Sequence, residues 1–402
     1  MKVSYLLHLY QPPFQEEFIC RKIFDTCYVP LIKTIKTNKD FKLTLNIPLS
    51  LFEHAQHLGY TSWISEIKNL IEMERVEMVG SAAYHPLLTR VSREIAEKQI
   101  ILQEYALGYF FGSHIGFEGE PSIVLKNIKG FFPPEMAINI DLLSILSEFG
   151  YQWSILNPSE MNKLSENLVY SLPEYTTKLV TRDPLLSDII SFSRTENITD
   201  FKNELDNKNT DVLISLDAEV FGHHNKEGIR YLENLLLMFK ESRIETQFVS
   251  DFVDSLDAKK TSTLADSTWS NDYSLWENSG NAILNSLWGI YHSLTSNYSF
   301  DVLFKMPEGL ENIALWDIKE LYKHTNLEIA NRIYLDIAML KCLNSDQFWW
   351  ASNKKVGQTS TFSKDIIFKS INLYKDFAIN FGSSQFNKDV EKYSNLIYKE
   401  LE

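Results

Sequence analysis

Residues Asp211 to Gly228 read Asp-Val-Leu-Ile-Ser-Leu-Asp-Ala-Glu-Val-Phe-Gly-His-His-Asn-Lys-Glu-Gly. The run 212–216 is apolar except for one serine, and its β-branched residues are typical of a strand buried on both faces of a parallel sheet. Asp217 follows that strand directly, and parallel α/β folds place their catalytic groups at the carboxyl ends of strands. The stretch predicts an α/β fold with a chemical site at Asp217, although a helix cap or a solvated loop position explains an acidic residue there equally well.

The same arrangement recurs along the first part of the chain. Strand-like runs alternate with helical patterns, and most of these runs end in polar residues. They lie at 3–7, 41–47, 76–79, 128–132, 153–156, 179–182 and 212–216. About seven strands that alternate with helices predict a parallel β/α barrel or a close variant of it.

The pattern changes after about residue 260. The polar stretch of small residues at 259–267 marks a junction, and the long helical patterns that follow show no strand alternation. We therefore expect a barrel domain at 1–260 and a helical domain at 261–402.

Composition and charge exclude several classes of partner. The chain carries 39 Lys and Arg against 53 Asp and Glu, a formal net charge of −14, and has no basic stretch with interleaved aromatic residues. We therefore expect neither nucleic acid nor an anionic membrane as a partner. The three cysteines form no Cys-x-x-Cys pair, which argues against a disulfide framework or a zinc ribbon. Because we find no secretory core and no segment of membrane-span length, we expect a cytoplasmic protein.

Two carboxylates stand at predicted strand ends. Glu135 follows the run Phe131-Phe132-Pro133-Pro134, and Asp217 ends the strand at 212–216. Two carboxylates that converge on one barrel mouth suit glycosidic bond cleavage, in which one attacks or stabilises the anomeric centre and the other protonates the leaving oxygen. The spacing of Glu135 also fits a first-turn acid of the following helix, favoured by the helix dipole.

Three histidines also lie just past predicted strand ends, at His8, His85 and His223. They are candidates for hydrogen bonds to sugar hydroxyl groups, for a zinc site or for separate structural roles. The sequence has no His-x-x-x-His helix pair, and Tyr10 stands where a zinc site would need an aspartate or a histidine after His8. We therefore expect no metal, and we expect His224 to be a loop residue.

Trp269 and Trp276 lie in a polar stretch without helical periodicity. Core tryptophans usually lie in apolar patterns, so we expect these two to be exposed platforms on which sugar rings stack. Since they follow the junction, the helical domain would contribute aromatic residues to the cleft. Trp349 and Trp350 are expected to pack within the helical domain, whereas Trp153 fits either role.

Together these segments resemble glycoside hydrolase family 57, the group of α-amylases, glucanotransferases, branching enzymes and amylopullulanases. The first region of that family, a His-x-His-Gln-Pro pattern, matches residues 8–12, with Tyr10 in place of the second histidine. The other four regions match in order at 80–85, 130–135, 217–223 and 269–276. Five matches in order are much more specific than any single one.

The resemblance implies an incomplete seven-stranded parallel (β/α)7 barrel, followed by a C-terminal helical domain. It also implies a retaining double displacement on α-linked glucan oligosaccharide or polysaccharide, with Glu135 as the nucleophile, Asp217 as the general acid/base and no metal cofactor. Such a pair requires a separation of about 5 to 5.5 Å, and Asp217 held protonated by burial or by the charge on Glu135. The residues expected to contact substrate are His8, Gln11, His85, Trp153, Asp188, His223, Trp269 and Trp276.

These expectations describe an α-amylase-type hydrolase of α-1,4 linkages. A 4-α-glucanotransferase or a branching enzyme is the close alternative, because transglycosylation shares the covalent intermediate. A carbohydrate-binding protein with a weakened site and a zinc-dependent, α-mannosidase-like glycosidase are alternatives of other kinds. The sequence leaves the oligomeric state open.

Overall fold

The computed structural model describes residues 1–112, 128–159, 163–300, 310, 313–356, 359–381 and 383–402. The strands are β1 (Lys2–His8), β2 (Leu43–Asn46), β3 (Val76–Met78), β4 (Gly130–Phe131), β5 (Trp153–Leu156), β6 (Val169–Ser171), β7 (Lys178–Thr181), β8 (Val212–Asp217), β9 (Glu245–Gln247), β10 (Lys259–Lys260), β11 (Lys355–Val356) and β12 (Thr359–Ser360). The helices are α1 (Glu17–Ile23), α2 (Val29–Thr37), α3 (Leu49–Leu58), α4 (Thr61–Glu72), α5 (Arg93–Phe111), α6 (Ile140–Glu148), α7 (Pro184–Phe192), α8 (Thr199–Asp206), α9 (Gly228–Ser242), α10 (Val249–Ser255), α11 (Ala282–Asn297), α12 (Ile318–His324), α13 (Leu327–Lys341), α14 (Asp346–Trp349), α15 (Lys364–Phe381) and α16 (Ser384–Leu401).

Seven parallel strands form the barrel, in the order β1, β2, β3, β4, β5, β7 and β8. A bridge between Gly80 and Phe131 joins the end of β3 to β4. On the opposite side, the backbone N–H of Asp183 donates to Leu213 O at 2.6 Å and links the end of β7 to β8. The pairing at these two places is much sparser than between β1 and its neighbours, so the barrel is incomplete. The predicted α/β fold, a (β/α)7 barrel followed by helices, is confirmed.

Three further strands, β6, β9 and β10, extend the barrel without entering its ring. β6 lies antiparallel to β7, β10 pairs with β6, and β9 pairs with the first half of β1. The segment 259–267 therefore stays attached to the barrel at both of its ends, because Ser267 also forms a bridge with Ile138.

Alternate residues of β1 belong to two different layers, as the two-residue repeat of a strand requires. Leu6 packs inside the barrel with Val79, Trp153 and Leu213. Tyr5 and its outward-facing neighbours pack against the surrounding helices. Since apolar side chains fill the interior, polar groups find room at the carboxyl ends of the strands.

Helices α11 to α16 make up most of the chain after residue 281, together with the short hairpin β11–β12, which the sequence did not predict. Leu284, Ile337 and Phe348 of this region belong to the same apolar cluster as Leu45 of the barrel. The side chain of Gln99 on α5 also donates to Leu340 O at 3.0 Å. The helical region and the barrel therefore share one core. No helix in the described ranges is long and apolar enough to cross a membrane.

The loop after β8 is fixed against the π-helical turn between α1 and α2. Gly222 has a φ of 126°, and a Cβ atom at that position would overlap the carbonyl oxygen of Thr26. The thiol of Cys27 donates to Ala218 O at 3.1 Å. This close approach requires glycine both for its backbone conformation and for its lack of a side chain.

Replacing Gly222 with alanine should lower the free energy of unfolding by about 3 kcal/mol or more, because backbone strain and steric overlap act together. Gly59→Ala is the matched control, since Gly59 also has a positive φ, 85°, but no heavy atom lies within 4 Å of its Cβ position. The control should cost about 1 kcal/mol. Urea unfolding monitored by circular dichroism measures both. Equal losses would show that the contact with Thr26 is not close.

Candidate active site

The carboxyl ends of three strands bring polar side chains together. His8 lies opposite Asp217 in the register of β1 and β8, and opposite Asn46 in the register of β1 and β2. His8 Nδ1 and Asn46 Oδ1 are 2.6 Å apart. The Asn46 side chain therefore fixes the imidazole beside the strand end that carries Asp217.

Glu135 lies on a short turn that follows β4. Its backbone has a φ of 59°, an uncommon value for a residue with a side chain. The Trp269 indole donates to Oε2 and the Ser345 hydroxyl donates to Oε1, both at 2.9 Å. Only 16% of the Glu135 side chain is exposed. A strained backbone and two directed hydrogen bonds hold this carboxyl in one orientation, as is common at functional sites.

Burial raises the pKa of Glu135 to about 8. The negative charges of Asp346 and Asp217 contribute to this rise, whereas the hydrogen bonds from Trp269 and Ser345 oppose it. Asp217 itself is exposed. We expected either burial or the charge on Glu135 to keep Asp217 protonated. In the structure Glu135 is the largely buried carboxyl, and Asp217 is not buried.

A stack of rings forms one wall of the site. The ring of His8 lies 4.7 Å from that of Phe132 and 4.9 Å from that of His85, and the ring of Tyr10 lies 4.2 Å from that of His85. Burial lowers the pKa of His8 and lowers that of His85 well below its usual value. Both imidazoles are therefore neutral near pH 7, and they can donate or accept hydrogen bonds without adding positive charge.

Ser345 and Asp346 reach the site from the helical region, and the sequence analysis did not anticipate either of them. Ser345 Oγ lies 3.0 Å from His85 Nδ1 as well as 2.9 Å from Glu135. The Tyr10 hydroxyl donates to Asp346 Oδ2 at 2.6 Å. Burial raises the pKa of Asp346 to about 6. In the sequence, these two residues could have been recognised from the polar run at 344–347, which interrupts an otherwise apolar helical pattern.

The tryptophans are arranged differently from the prediction. Trp269 is partly buried and touches Glu135, but Trp276 has an exposure of 0% and cannot be a platform for sugar. Trp349 packs against residues of the predicted helical domain at 261–402, because its ring lies 5.7 Å from Trp269 and 5.9 Å from Trp276. The polar context of Trp276 was misleading because the ring is covered by residues distant in sequence.

Two other residues that were expected to contact substrate, Trp153 and Gln11, are buried and pack beneath the site. Trp153 has an exposure of 1%, and its indole donates to Ser250 Oγ at 2.9 Å inside the barrel, so the prediction of a contact with substrate was wrong for it. Gln11 is also buried, and its amide donates to Tyr28 Oη at 3.1 Å and to Glu219 Oε1 at 3.4 Å.

Glu219, two residues after Asp217, joins Gln11 and neighbouring buried groups by hydrogen bonds. Its Oε1 accepts a short hydrogen bond from the Tyr28 hydroxyl and one from the backbone N–H of Tyr10 at 3.2 Å. Burial, followed by the charge of Asp217, raises the pKa of Glu219 to about 8. The carboxyl of Glu219 thus joins the loop after β8 to the segment after β1.

An arginine that the sequence analysis did not select lies at the end of β7. The Arg182 guanidinium is nearly buried, donates to Asn157 Oδ1 at 2.7 Å and to Ser215 O at 2.9 Å, and stands 3.8 Å from the half-exposed Asp188. Burial lowers the pKa of Arg182, and the charges of Asp188 and Asp217 raise it. Asp188 therefore faces a cation at the site, where it remains a candidate for contact with substrate.

The two histidines of the loop after β8 have different surroundings. The pKa of His223 is lowered to about 4, mainly by burial, and the nearby His224 and Lys22 contribute to this lowering. Burial also lowers the pKa of His224, but the charge of Asp217 raises it. The charge of Asp217 thus raises the pKa of His224, which was expected to be a loop residue only, as it raises that of His8. In the described part of the chain, no group of three or more His, Cys, Asp or Glu side chains could hold a metal ion.

Comparisons with known proteins identify the family of the chain. The chain matches the family model described as Glycosyl hydrolase family 57 over residues 7–265. It is 24% identical over 151 residues to a protein of Pyrococcus horikoshii named α-amylase; the match covers 38% of this chain and 22% of that relative. The chain thus spans about a fifth of the length of this curated relative.

Solved structures of similar fold cover nearly the whole chain. A GH57-type branching enzyme from Pyrococcus horikoshii has a TM-score of 0.66 at 14% identity, over 99% of this chain and 95% of that one. A 4-α-glucanotransferase from Thermococcus litoralis has a TM-score of 0.65 at 15% identity, over 93% of this chain and 58% of that one. At these identities the likeness shows the fold. Because the family model covers well over half of its residues, the chain belongs to glycosyl hydrolase family 57.

Proposed function

We propose that the protein acts on α-linked glucans, by cleaving α-1,4 linkages in a retaining double displacement. Glu135 is the nucleophile, and Asp217 is the general acid/base. The names of the relatives, an α-amylase, a branching enzyme and a 4-α-glucanotransferase, direct the proposal to α-glucan. The observation that carries it is the fixed carboxyl of Glu135, which interacts with a second carboxylate at the end of β8.

In the first step, a carboxylate oxygen of Glu135 attacks the anomeric carbon while the bond from that carbon to the glycosidic oxygen breaks. Asp217 donates its proton to the leaving oxygen, so the departing sugar chain leaves as an alcohol. The exposed position of Asp217 suits this role, because the leaving group must pass out of the mouth. The product is a glycosyl ester of Glu135.

In the second step, the Asp217 carboxylate takes a proton from water, and the water oxygen attacks the anomeric carbon. The ester bond breaks and Glu135 regains its carboxylate. Two inversions at the same carbon retain its configuration. A sugar hydroxyl in place of water would give transfer to an acceptor by the same chemistry.

The two hydrogen bonds to Glu135 fix the orientation of its carboxyl group. Trp269 and Ser345 each occupy one oxygen, so the carboxyl plane is fixed before substrate arrives. The neutral imidazoles of His8 and His85 are available for the hydroxyl groups of the reacting sugar. Because these imidazoles carry no charge, the charged groups closest to the developing positive charge of the transition state are the carboxylates, which stabilise it.

The raised pKa of Glu135 has a consequence for reactivity. A carboxylate with a pKa of about 8 is a stronger base than an ordinary glutamate once it is ionised. Only the ionised form attacks, so in the free protein the reactive fraction of Glu135 grows as the pH rises through that value.

Substitution of either carboxylate should remove turnover and keep binding. Glu135→Gln and Asp217→Asn should each lower kcat on a maltooligosaccharide by about 1,000-fold or more, because each removes one chemical step from the displacement. Product analysis by chromatography measures this and separates shorter products, from hydrolysis, from longer products, from transfer. Glu233→Gln, at an exposed position of α9, is the control and should react like the wild type.

Two outcomes would contradict the assignment. Full activity in either variant would remove that residue from the chemistry. Binding without turnover by the wild type as well as the variants would mean that the protein recognises carbohydrate with a weakened site, or that it cleaves a different linkage.

The charge near Glu135 should set one limb of the pH profile. Since Glu135 must be ionised while Asp217 holds a proton, the pKa of Glu135, about 8, should appear as one limb of the kcat/KM profile of the wild type. Asp346→Asn removes a negative charge that raises the pKa of Glu135, so its profile should shift to lower pH. Trp269→Phe removes a hydrogen bond that lowers this pKa, so its profile should shift to higher pH.

The opposite directions of the two shifts make this test specific. General damage to the site would lower the rate in both variants without moving the profile in opposite senses. Profiles that stay in place, or that move together, would show that Glu135 does not control that limb.

A further inference from the structure

A cavity separate from the site around Glu135 lies between helix α11, the segment 277–279 and the side chain of Arg90. Its volume is about 330 Å³, near the lower end of the range of about 300 to 1,000 Å³ that is usual for small-molecule sites. The residues used below are Arg90, Glu277, Asn278, Asn285, Trp288 and His292. None of them belongs to the proposed catalytic pair or to its hydrogen-bond partners.

One wall of the cavity is a single face of α11. Asn285, Trp288 and His292 are spaced three and four residues apart, which places them on the same side of the helix. The ring of His292 is stacked with the indole of Trp288 at 5.4 Å. Trp288 is partly buried, while Asn285 and His292 are exposed. The face thus offers two flat rings next to an amide.

The indole of Trp288 is rigidly held. It lies parallel to the ring of Phe348, with the centroids 4.0 Å apart and the planes at 10°. Its Nε1 donates to Trp276 O at 2.7 Å. An aromatic ring that is already ordered loses little conformational freedom when a ligand packs against it.

The opposite wall carries polar groups that are also fixed in place. The Arg90 guanidinium lies 3.5 Å from the ring centre of Tyr273 and binds Glu277 at 2.5 Å and Asp266 at 2.8 Å. The Asn285 amide donates to Ser279 O at 2.8 Å, which ties α11 to the segment 277–279. Two carboxylates therefore accompany the one cation of this wall, so the cavity does not favour an anionic ligand.

The cavity is close to the proposed reaction centre. Trp276, whose carbonyl accepts the bond from Trp288, packs against Trp269 with their ring centres 6.3 Å apart. Trp269 in turn donates to Glu135. The rings of Trp276 and Trp269 therefore lie between Trp288 and the carboxyl of Glu135.

From these observations we infer that the cavity beside Trp288 and His292 is a second carbohydrate-binding site, which holds a neutral glucan chain outside the cleavage site. Fixed aromatic rings, next to amide and charged groups with compensated charge, match a ligand that has apolar ring faces and many hydroxyl groups. This inference rests on the proposed function. It adds that long chains bind at two places and short oligosaccharides at one.

The test compares a polymer with a short substrate. His292→Ala changes an exposed side chain only. Asn285→Ala also removes the hydrogen bond to Ser279 O, so thermal unfolding of both variants and of the double variant is measured beside the wild type. Trp288→Phe keeps a ring over Phe348 and reduces the aromatic surface of the cavity. Phe192→Ala, at a 51% exposed aromatic residue of α7, is the control for loss of an exposed ring. Retardation in native gels that contain soluble starch measures polymer binding, and initial rates on maltotetraose measure reaction at Glu135.

The double variant and Trp288→Phe should bind soluble starch about fivefold or more weakly than the wild type, with maltotetraose rates within about twofold. Phe192→Ala should match the wild type in both measurements. Equal retardation of the wild type and the double variant, with normal rates, would overturn the inference and leave the proposed function intact. A wild type that neither cleaves maltotetraose nor is retarded by starch would instead overturn the proposed function, and the inference with it.

Discussion

The hydrogen bonds from Trp269 and Ser345 to Glu135 are the interactions on which the site depends. A buried carboxyl without partners is costly, and these two donors come from residues 134 and 210 positions further along the chain. One follows the barrel, and the other belongs to the helical region. The helices after residue 281 are therefore part of the site, because the barrel alone supplies the carboxyl but lacks both of its partners.

The charges at the barrel mouth are distributed unequally. Glu135, Asp217 and Asp346 bring three carboxyl groups within reach of one another's charge, whereas burial keeps His8 and His85 neutral near pH 7. Arg182 is the buried cation that interacts with Asp217. The candidate site is thus predominantly negative or neutral, and such surroundings would favour a transition state that gains positive charge over a substrate that has none.

Sequence reasoning located what is encoded locally. A buried parallel strand has a recognisable apolar run, and the residue that follows it lies at the barrel mouth, so His8, His85, Glu135 and Asp217 could be selected from their neighbours in sequence. Tertiary burial leaves no such local signal. Trp276 lies in a polar stretch and is nevertheless fully covered, and Ser345 and Asp346 reach the mouth through helix packing that no periodicity describes.

The bond between Tyr10 and Asp346 spans 336 positions of the sequence. On the ribosome, where a chain emerges from its amino terminus, all of the barrel strands appear well before Asp346 does. The barrel can begin to collapse during that interval, but its mouth lacks Ser345 and Asp346 until the helical region has followed and docked. A nascent chain thus acquires its barrel strands early, and the side chains that the helical region adds to the candidate site late.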